Sequence, residues 1–357
     1  MNEPYTRPLD ELRASDTPEF GGKSANLGEL RSAGIAVPEG FAIGARAFGA
    51  FVEATGLEGT IAAAVAHAST GDVDAVSTAS KTIGEAMRFA PLPDLVRAEL
   101  LSRHDELASQ TGEEQPPVAV RSSALGEDSE EASHAGQQES FLWVRGVEQM
   151  CDAVRDCWVS LYTPQAISYR AALRAGGTKV AMGVAVQCMV DAQVSGVMFT
   201  CNPVSGDPSM VAINASWGLG IAVVGGELTP DDFLVSKVTG EVVRRTLSPK
   251  HVEYVPDATG RGAVRVDVPA ERRDEPCLGE AELAALVEVA RRIERHFGRH
   301  QDIEWALARG QPLPAALVVL QARPVTTRAK PARALSASAL SLVMDTFGAS
   351  PGTAERS

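Results

Sequence analysis

The sequence predicts an α+β protein, and three observations carry that expectation. Helical periodicity, rich in Ala and Leu, runs across residues 59–112 and again across 147–175. From about residue 190 onward short runs of β-branched and aromatic residues take over. Near the end, Gln301-Asp302-Ile303-Glu304-Trp305 and Leu320-Gln321-Ala322-Arg323-Pro324 alternate polar with apolar residues at the period of two that strands require.

The elements follow in order. Leu27, Leu30 and a stop at Gly34 mark a helix opening near Lys23, so that Gly21-Gly22-Lys23-Ser24 stands at a helix start, before the loop Val37-Pro38-Glu39-Gly40. The 59–112 helices end in a polar loop with Pro116-Pro117. Val118-Ala119-Val120 reads as a buried strand that delivers Arg121-Ser122-Ser123 to its end. The acidic run Gly126-Glu127-Asp128-Ser129-Glu130-Glu131 beyond it reads as a mobile loop. Residues 180–190 and 194–200 are expected as strands joined by a tight turn, followed by strands at 210–215, 233–237 and 241–247. One amphipathic helix is expected at 280–297, with Leu283, Leu286, Val287, Ala290, Ile293 and Phe297 on one stripe and Gly298 as its stop. Its arginines, Arg291, Arg292 and Arg295, read as a solvated face. The Ala/Ser/Pro/Thr-rich stretch from about Thr327 reads as a tail.

Composition narrows the function classes. The chain has 357 residues, 45% of them hydrophobic, enough for a sizeable core and two or so domains. A net charge of −13 leaves no global basic footprint, so neither nucleic acid nor an anionic membrane is an expected partner; a nucleotide would need a local basic pocket. Five cysteines, odd in number and without C-x-x-C spacing, argue against a disulfide framework or a zinc site, and a reducing cytoplasm fits best. No apolar stretch is long enough to span a bilayer.

The candidate chemistry lies in four places. On the two late strands Asp302 and Glu304 share one face, and Gln321 with Arg323 share another. The turn Arg309-Gly310-Gln311-Pro312 between them would set two carboxylates against an amide and a guanidinium. Oxygen donors beside a fixed cation suit Mg²⁺ carrying phosphate. Gly21-Gly22-Lys23-Ser24 could bind an anion at a helix start, although the P-loop pattern fails because Thr17 stands where its first Gly belongs; a capped helix with an exposed Lys is the plainer reading. Arg121 at a strand end is equally compatible with a surface ion pair. Ala135-Gly136-Gln137-Gln138 beside Ser140 could cover phosphate or simply turn the chain.

Together the ordered motifs carry a resemblance. Gly21-Gly22-Lys23-Ser24-Ala25-Asn26-Leu27-Gly28-Glu29-Leu30, Val37-Pro38-Glu39-Gly40-Phe41, Val120-Arg121-Ser122-Ser123, Ala135-Gly136-Gln137-Gln138, Ser195-Gly196-Val197-Met198-Phe199-Thr200, Trp217-Gly218-Leu219-Gly220 and Leu320-Gln321-Ala322-Arg323-Pro324 follow one another from Gly21 to Pro324. The chain thereby resembles the nucleotide-binding domain of the phosphoenolpyruvate synthase, pyruvate phosphate dikinase and rifampin phosphotransferase family. The resemblance implies an ATP-grasp-like fold, two lobes with a nucleotide cleft between them. It would divide the chain into an N-terminal lobe with a helical insert at 1–188, a C-terminal lobe at 189–328 and a flexible tail at 329–357.

It also implies roles, with ATP and Mg²⁺ as the ligands. Lys23, Arg121 and Arg323 would act on the phosphates, and Gly136, Gln137 and Ser140 would close over them. Gln187, Met189 and Val190 would form the hinge that reads adenine, Glu304 and Gln321 would hold Mg²⁺, and Asp302 would complete the phosphate end. The sequence departs from the family in a longer segment between Glu304 and Gln321, in His134 and Ser140 within the lid, and in Cys201 where some relatives carry Arg. Ser133-His134-Ala135 reads as lid rather than phosphoacceptor, and His296 and His300 as surface or structural residues.

Full-length relatives pass phosphate to a histidine on a swivelling domain, and no such domain fits within this chain. The leading expectation is therefore an ATP-binding subunit of a split dikinase-like phosphotransferase. A separate protein would supply the phosphohistidine and the site for a small-molecule acceptor. The alternatives are a free-standing ATP-dependent kinase or ligase and a non-catalytic nucleotide-binding regulatory module.

Overall fold

A short strand, β1 (Thr6–Pro8), leads into helix α1 (Thr17–Ser32), which is broken internally at Gly21. The break is forced by a close approach: Gly21 adopts φ +78°, and a Cβ there would lie 2.2 Å from the Ser123 carbonyl oxygen. Only glycine fits both demands. The expected helix start near Lys23 is thus the second, regular part of α1. The structure is a computed structural model and describes residues 3–68, 72–125, 140–172, 180–257 and 262–325.

After α1 come β2 (Gly40–Ile43), α2 (Ala45–Thr55), α3 (Glu58–Ala68), α4 (Val73–Phe89), α5 (Asp94–Thr111), β3 (Val118–Ala124), β4 (Ser140–Val144), α6 (Gly146–Val159), α7 (Pro164–Ala172) and β5 (Met182–Cys188). The strands form an antiparallel five-stranded sheet in the order β1-β2-β5-β3-β4. Its period-two alternation sorts the side chains. Phe41, Ile43, Val118, Val120, Val184 and Val186 face the helices, packing with Phe51, Ile83, Met87 and Trp158. Ala42 and Ala185, on the other face, pack with Phe20 and Leu27 of α1.

The second half runs β6 (Ala192–Phe199), β7 (Met210–Trp217), α8 (Ile221–Val224), β8 (Asp231–Ser236), β9 (Val242–Thr246), β10 (Val252–Pro256), β11 (Ala263–Asp267), α9 (Glu280–Phe297), β12 (Gln301–Ala308) and β13 (Leu317–Pro324). Six of these strands make an antiparallel sheet in the order β13-β12-β6-β7-β8-β9, and β10 pairs with β11 as a separate hairpin. One face of the six-stranded sheet buries Met198, Ile213, Phe233, Ile303 and Trp305 against the Leu283, Leu286, Ala290 and Ile293 stripe of α9 and against Leu27 and Leu30 of α1. Helix α1 therefore touches both sheets. Its Asn26 side chain donates to the Ala322 carbonyl on β13 at 3.3 Å, and residues 1–325 make up one compact unit.

Several expectations need correction. Strands β5 and β6 are not a hairpin: β5 pairs with β2 and β3, β6 with β7 and β12. The chain crosses from one sheet to the other at residues 189–191, where the Met189 N–H is taken by the Pro117 carbonyl at 2.8 Å. Arg292 is not simply solvated, since its guanidinium donates to the Ala33 and Gly34 carbonyls at the end of α1, at 3.2 and 3.0 Å. Strands β10 and β11 went unforeseen. The acidic run at 126–131, the lid residues Gly136 and Gln137 and the tail lie outside the described residues. No single helix among those described is long and apolar enough to cross a membrane.

Two polar anchors fix the second half. Asp231 and Lys250, both 0% exposed, pair at 2.7 Å, and Asp231 also accepts from the Ser248 and Cys277 backbone N–H groups and from the Cys277 thiol. Burial, with the Asp231 charge added, pushes the Cys277 pKa up and keeps the thiol a donor. Removing one partner of such a pair strands a buried charge, at a cost of about 3–5 kcal/mol. Asp231→Ala is expected to lose about that much in chemical denaturation, and Asp231→Ala combined with Lys250→Met to recover most of it.

The second anchor is Glu29 on α1, which meets His296 on α9 at 2.9 Å and accepts from the Ala14 N–H at 2.8 Å. Burial raises the Glu29 pKa, but the Ala14 and His296 contacts outweigh it and hold the carboxyl below its usual range. A carboxyl lowered in the folded state stabilises above its unfolded pKa, roughly 4.3, and that contribution is lost as pH falls through the folded value. Thermal melts between about pH 5 and 3 should therefore fall more steeply for the native protein than for Glu29→Gln.

Candidate functional site

The site begins with a register shift. On β12 the core-facing residues are Ile303, Trp305 and Leu307, which leaves Asp302, Glu304 and Ala306 on the opposite face. On β13 a strict alternation would put Leu317, Val319, Gln321 and Arg323 together on one face. It does not, because the pairing shifts between Glu304 and Trp305: Asp302 opposes Arg323 and Glu304 opposes Gln321, whereas Trp305 opposes Val319 and Leu307 opposes Leu317. A β-bulge at Leu320 flips the strand, so Leu317 and Val319 stay in the core while Gln321 and Arg323 join Asp302 and Glu304. The long connection from Glu304 to Gln321 is absorbed by this bulge and by residues 309–316, and the four polar residues converge despite it.

The opposite wall comes from α1 and β3. Lys23 is 6% exposed, far from the exposed cap residue of the plainer reading, and its ammonium donates to the Ser122 carbonyl at 2.9 Å. The Ser24 N–H donates to the Ser123 hydroxyl at 3.2 Å. Gly-Gly-Lys-Ser and Arg-Ser-Ser, a hundred residues apart in sequence, are thus stitched together at Gly21. One residue along β3, Arg121 reaches across to Glu304, Nη1 to Oε2 3.5 Å, joining the five-stranded sheet to the six-stranded one. Its Nε is buried without a hydrogen-bond partner. Ser140, exposed on β4, lies opposite Arg121.

Charge at the far end is likewise paired. Arg323, its side chain 50% exposed, donates from Nε to Asp302 Oδ2 at 2.8 Å. Burial raises the Asp302 pKa above the ordinary value; Arg323 offsets part of that rise and Glu304 adds to it. Cys201, where some relatives carry Arg, is 3% exposed, its thiol pKa raised by burial, with Lys237 and Glu294 as its charged neighbours.

At the other end the floor turns apolar. Ala306 and Val318 continue the face of Glu304 and Gln321 and cluster with Leu320, Leu219 and Trp143, and against them pack Met189 and Val190 at the crossing between sheets. Gln187, in register with Ala119 two residues before Arg121, is 2% exposed, and its Nε2 has no hydrogen-bond partner. An orphaned buried amide is costly, about 1–3 kcal/mol, and asks for a polar ligand. Polar residues and an apolar end thus follow one another along a single face of β12 and β13.

Residues 17–341 match the family described as pyruvate phosphate dikinase, AMP/ATP-binding domain. The chain belongs to that family. Among its relatives, a probable phosphoenolpyruvate synthase of Methanothermobacter thermautotrophicus is 38% identical over 350 residues, covering 98% of this chain and 50% of the relative. One from Methanocaldococcus jannaschii is also 38% identical, covering 97% and 29%. The phosphoenolpyruvate synthase of Pyrococcus furiosus is 36% identical over 384 residues, covering 96% and 47%. The chain thus spans half or less of these relatives, and its fold is the α+β, ATP-grasp-like arrangement of the pyruvate phosphate dikinase nucleotide-binding domain.

Within this dikinase-family domain the residues present fit a magnesium nucleotide. Asp302, Glu304 and Gln321 offer hard oxygen donors on one face, and among the described residues there is no group of three or more His, Cys, Asp or Glu able to cage an ion. That is the donor set of a site in which Mg²⁺ takes one or two carboxylates and leaves its other positions to phosphate and water. Of the residues the sequence singled out, register and ion pairs bring Arg121, Asp302, Glu304, Gln321 and Arg323 together, with Ser140 opposite Arg121; Lys23 lies against Ser122, Gln187 opposes Ala119, Met189 and Val190 pack at the apolar end, and Gly136 and Gln137 lie outside the described residues. The sequence reading missed Ala306, Val318 and Leu320, for which the available signal was the continuation of the strand alternation past Glu304 and Gln321. Glu304→Gln is expected to change stability by less than about 1 kcal/mol, as for a partly exposed pair. Calorimetric titration should show the Mg²⁺-dependent part of ATP affinity falling about tenfold or more; an unchanged Mg²⁺ dependence removes Glu304 from the metal.

Proposed function

We propose that this chain is the ATP-activating unit of a dikinase-type phosphotransferase, working with a separately encoded protein that carries a phosphoacceptor histidine and the site for a small-molecule acceptor. The observation that carries the reading is the convergence of Asp302, Glu304, Gln321 and Arg323 on one wall with Arg121 and Lys23 on the other. Phosphoryl transfer asks a protein mainly for positioning and charge neutralisation. In this reading the adenine lies at Gln187, Met189 and Val190, and the triphosphate runs toward Arg323.

Lys23 and Arg121 hold phosphate oxygens from the first sheet, Arg323 holds them from the second, and Asp302 fixes the Arg323 guanidinium. Glu304 and Gln321 hold Mg²⁺, which when bound supplies a Lewis acid across the phosphates. Ser140, opposite Arg121, offers its hydroxyl to the same phosphates, with Gly136 and Gln137 assigned to the lid by family resemblance alone. The expected half-reaction transfers the β,γ-pyrophosphoryl group of ATP to the partner histidine with release of AMP, and hydrolysis then frees orthophosphate and leaves a phosphohistidine; five cysteines without C-x-x-C spacing favour a reducing cytoplasm as its compartment.

Binding must replace the two internal ion pairs, Arg121 with Glu304 and Arg323 with Asp302. Mg²⁺ and phosphate together do so without leaving a buried charge unpaired. The test is a product assay with purified protein, Mg²⁺ and ATP, with and without the histidine-bearing partner: AMP formation that depends on the partner supports the reading. ADP made by the chain alone supports direct kinase action, and binding without either product supports a regulatory module. Arg323→Ala should cut turnover by more than about tenfold while altering stability by about 1 kcal/mol, since the Arg323 side chain is 50% exposed although its partner Asp302 is only 14% exposed.

A further inference from the structure

The base end of the cleft holds a backbone outlier. Trp143 has φ +59°, the only non-glycine residue with positive φ among those described. A bulky side chain is held in that region only where its surroundings enforce it, and such residues gather at ligand sites. Here the enforcement is a bulge. Arg121 pairs with Ser140 and Val120 with Phe141, but Val118 pairs with Val144, so Leu142 and Trp143 together oppose Ala119. Phe141 and Val144 both face the helical core. The extra residue turns Trp143 to the other side, into the row of Ala119 and Gln187, where it joins Leu219 and Ala306. It belongs to neither main core.

This corner thus contains a 6% exposed indole on a left-handed backbone and, across Ala119 on the neighbouring strand, a buried amide nitrogen without a hydrogen-bond partner. Apolar packing holds the Trp143 ring but does not require its positive φ, which a smaller residue would adopt without strain, and Gln187 would gain from being apolar. Resting on the nucleotide reading above, we propose that Trp143 is a specificity-determining residue whose indole forms the stacking wall for the purine base, with Gln187 meeting the polar edge of the same ring. A large flat wall rewards a two-ring base over a one-ring base, because stacking scales with the overlapped π-face. The triphosphate, held at the other end by Lys23, Arg121 and Arg323, is indifferent to it.

The experiment titrates native protein, Trp143→Asn and Trp143→Phe with Mg-ATP, Mg-CTP and Mg-tripolyphosphate. Asn tolerates the left-handed conformation, so it removes the ring while keeping the backbone. The expected result is about a tenfold or greater loss of Mg-ATP affinity in Trp143→Asn, a smaller loss for Mg-CTP, no change for Mg-tripolyphosphate, and near-native behaviour in Trp143→Phe. Mg-ATP should also quench tryptophan emission in the native protein more than in Trp143→Phe, a readout that stands even if Trp143→Asn does not fold. Equal losses for all three ligands, unchanged Mg-ATP affinity in Trp143→Asn, or identical quenching in native and Trp143→Phe protein overturns the proposal. Native protein that binds Mg-tripolyphosphate but ranks ATP and CTP alike overturns this inference alone; native protein that binds none of the three overturns the nucleotide reading along with it.

Discussion

One register shift holds the candidate site together. The bulge between β12 and β13 lets a single strand serve two masters, giving Leu317 and Val319 to the core and Gln321 and Arg323 to the cleft. A one-residue slip in a sheet turns every side chain to the other face. Without the bulge, either the core would lose two large aliphatic residues or the polar pair would be buried in it. The constraint is tight because both alternatives are expensive: a buried Leu or Val contributes roughly 1.5–3 kcal/mol, and an unpaired buried guanidinium costs more.

Everything else at the site is arranged around that face. Helix α1 stands between the sheets, pinned to β3 where Gly21 meets Ser123 and to β13 through Asn26 and Ala322. That placement sets Lys23 at the end of β3 and turns Arg121 toward Glu304. The resting cleft is self-neutralised, two carboxylates against two guanidiniums, so its charges are paired before any ligand arrives. In the proposed reading a metal carrying phosphate would exchange partners with both pairs at once, which neither an isolated cation nor an isolated anion could do without stranding a charge. The net charge of −13 leaves the receipt of a polyanion to such local cations in the proposed reading.

Much of this was legible in the sequence, for identifiable reasons. The α9 helix over 280–297 was readable to the residue because its apolar stripe, capping glycines and length all agree. The polar residues of the site were legible because each of the pairs Asp302 with Glu304 and Gln321 with Arg323 sits two apart on its strand. What could not be read was long-range. No local pattern says that residues 188 and 192 enter different sheets, since that depends on which strands are already paired. The β10 and β11 strands do alternate in sequence, at Val252-Glu253-Tyr254 and Val264-Arg265-Val266-Asp267, but the pair buries no consistent face and so gave no link to a core. The bulge at Leu320 was hidden because a run of apolar residues, Leu317 to Leu320, fits either register. Lys23 was ambiguous as a sequence element and became informative only when its ammonium was found buried against Ser122.

In the proposed reading one face of β12 and β13 binds metal and phosphate while the crossing at Gln187 to Val190 binds the base. Anomalous diffraction from crystals grown with Mn²⁺ and a non-hydrolysable ATP analogue tests it most directly. The account places the Mn²⁺ peak between Glu304 and Gln321, within about 2.5 Å of an oxygen of each, with the terminal phosphate toward Arg323 and the base against Met189. A metal peak away from both side chains, or a nucleotide bound outside the cleft between the two sheets, contradicts it.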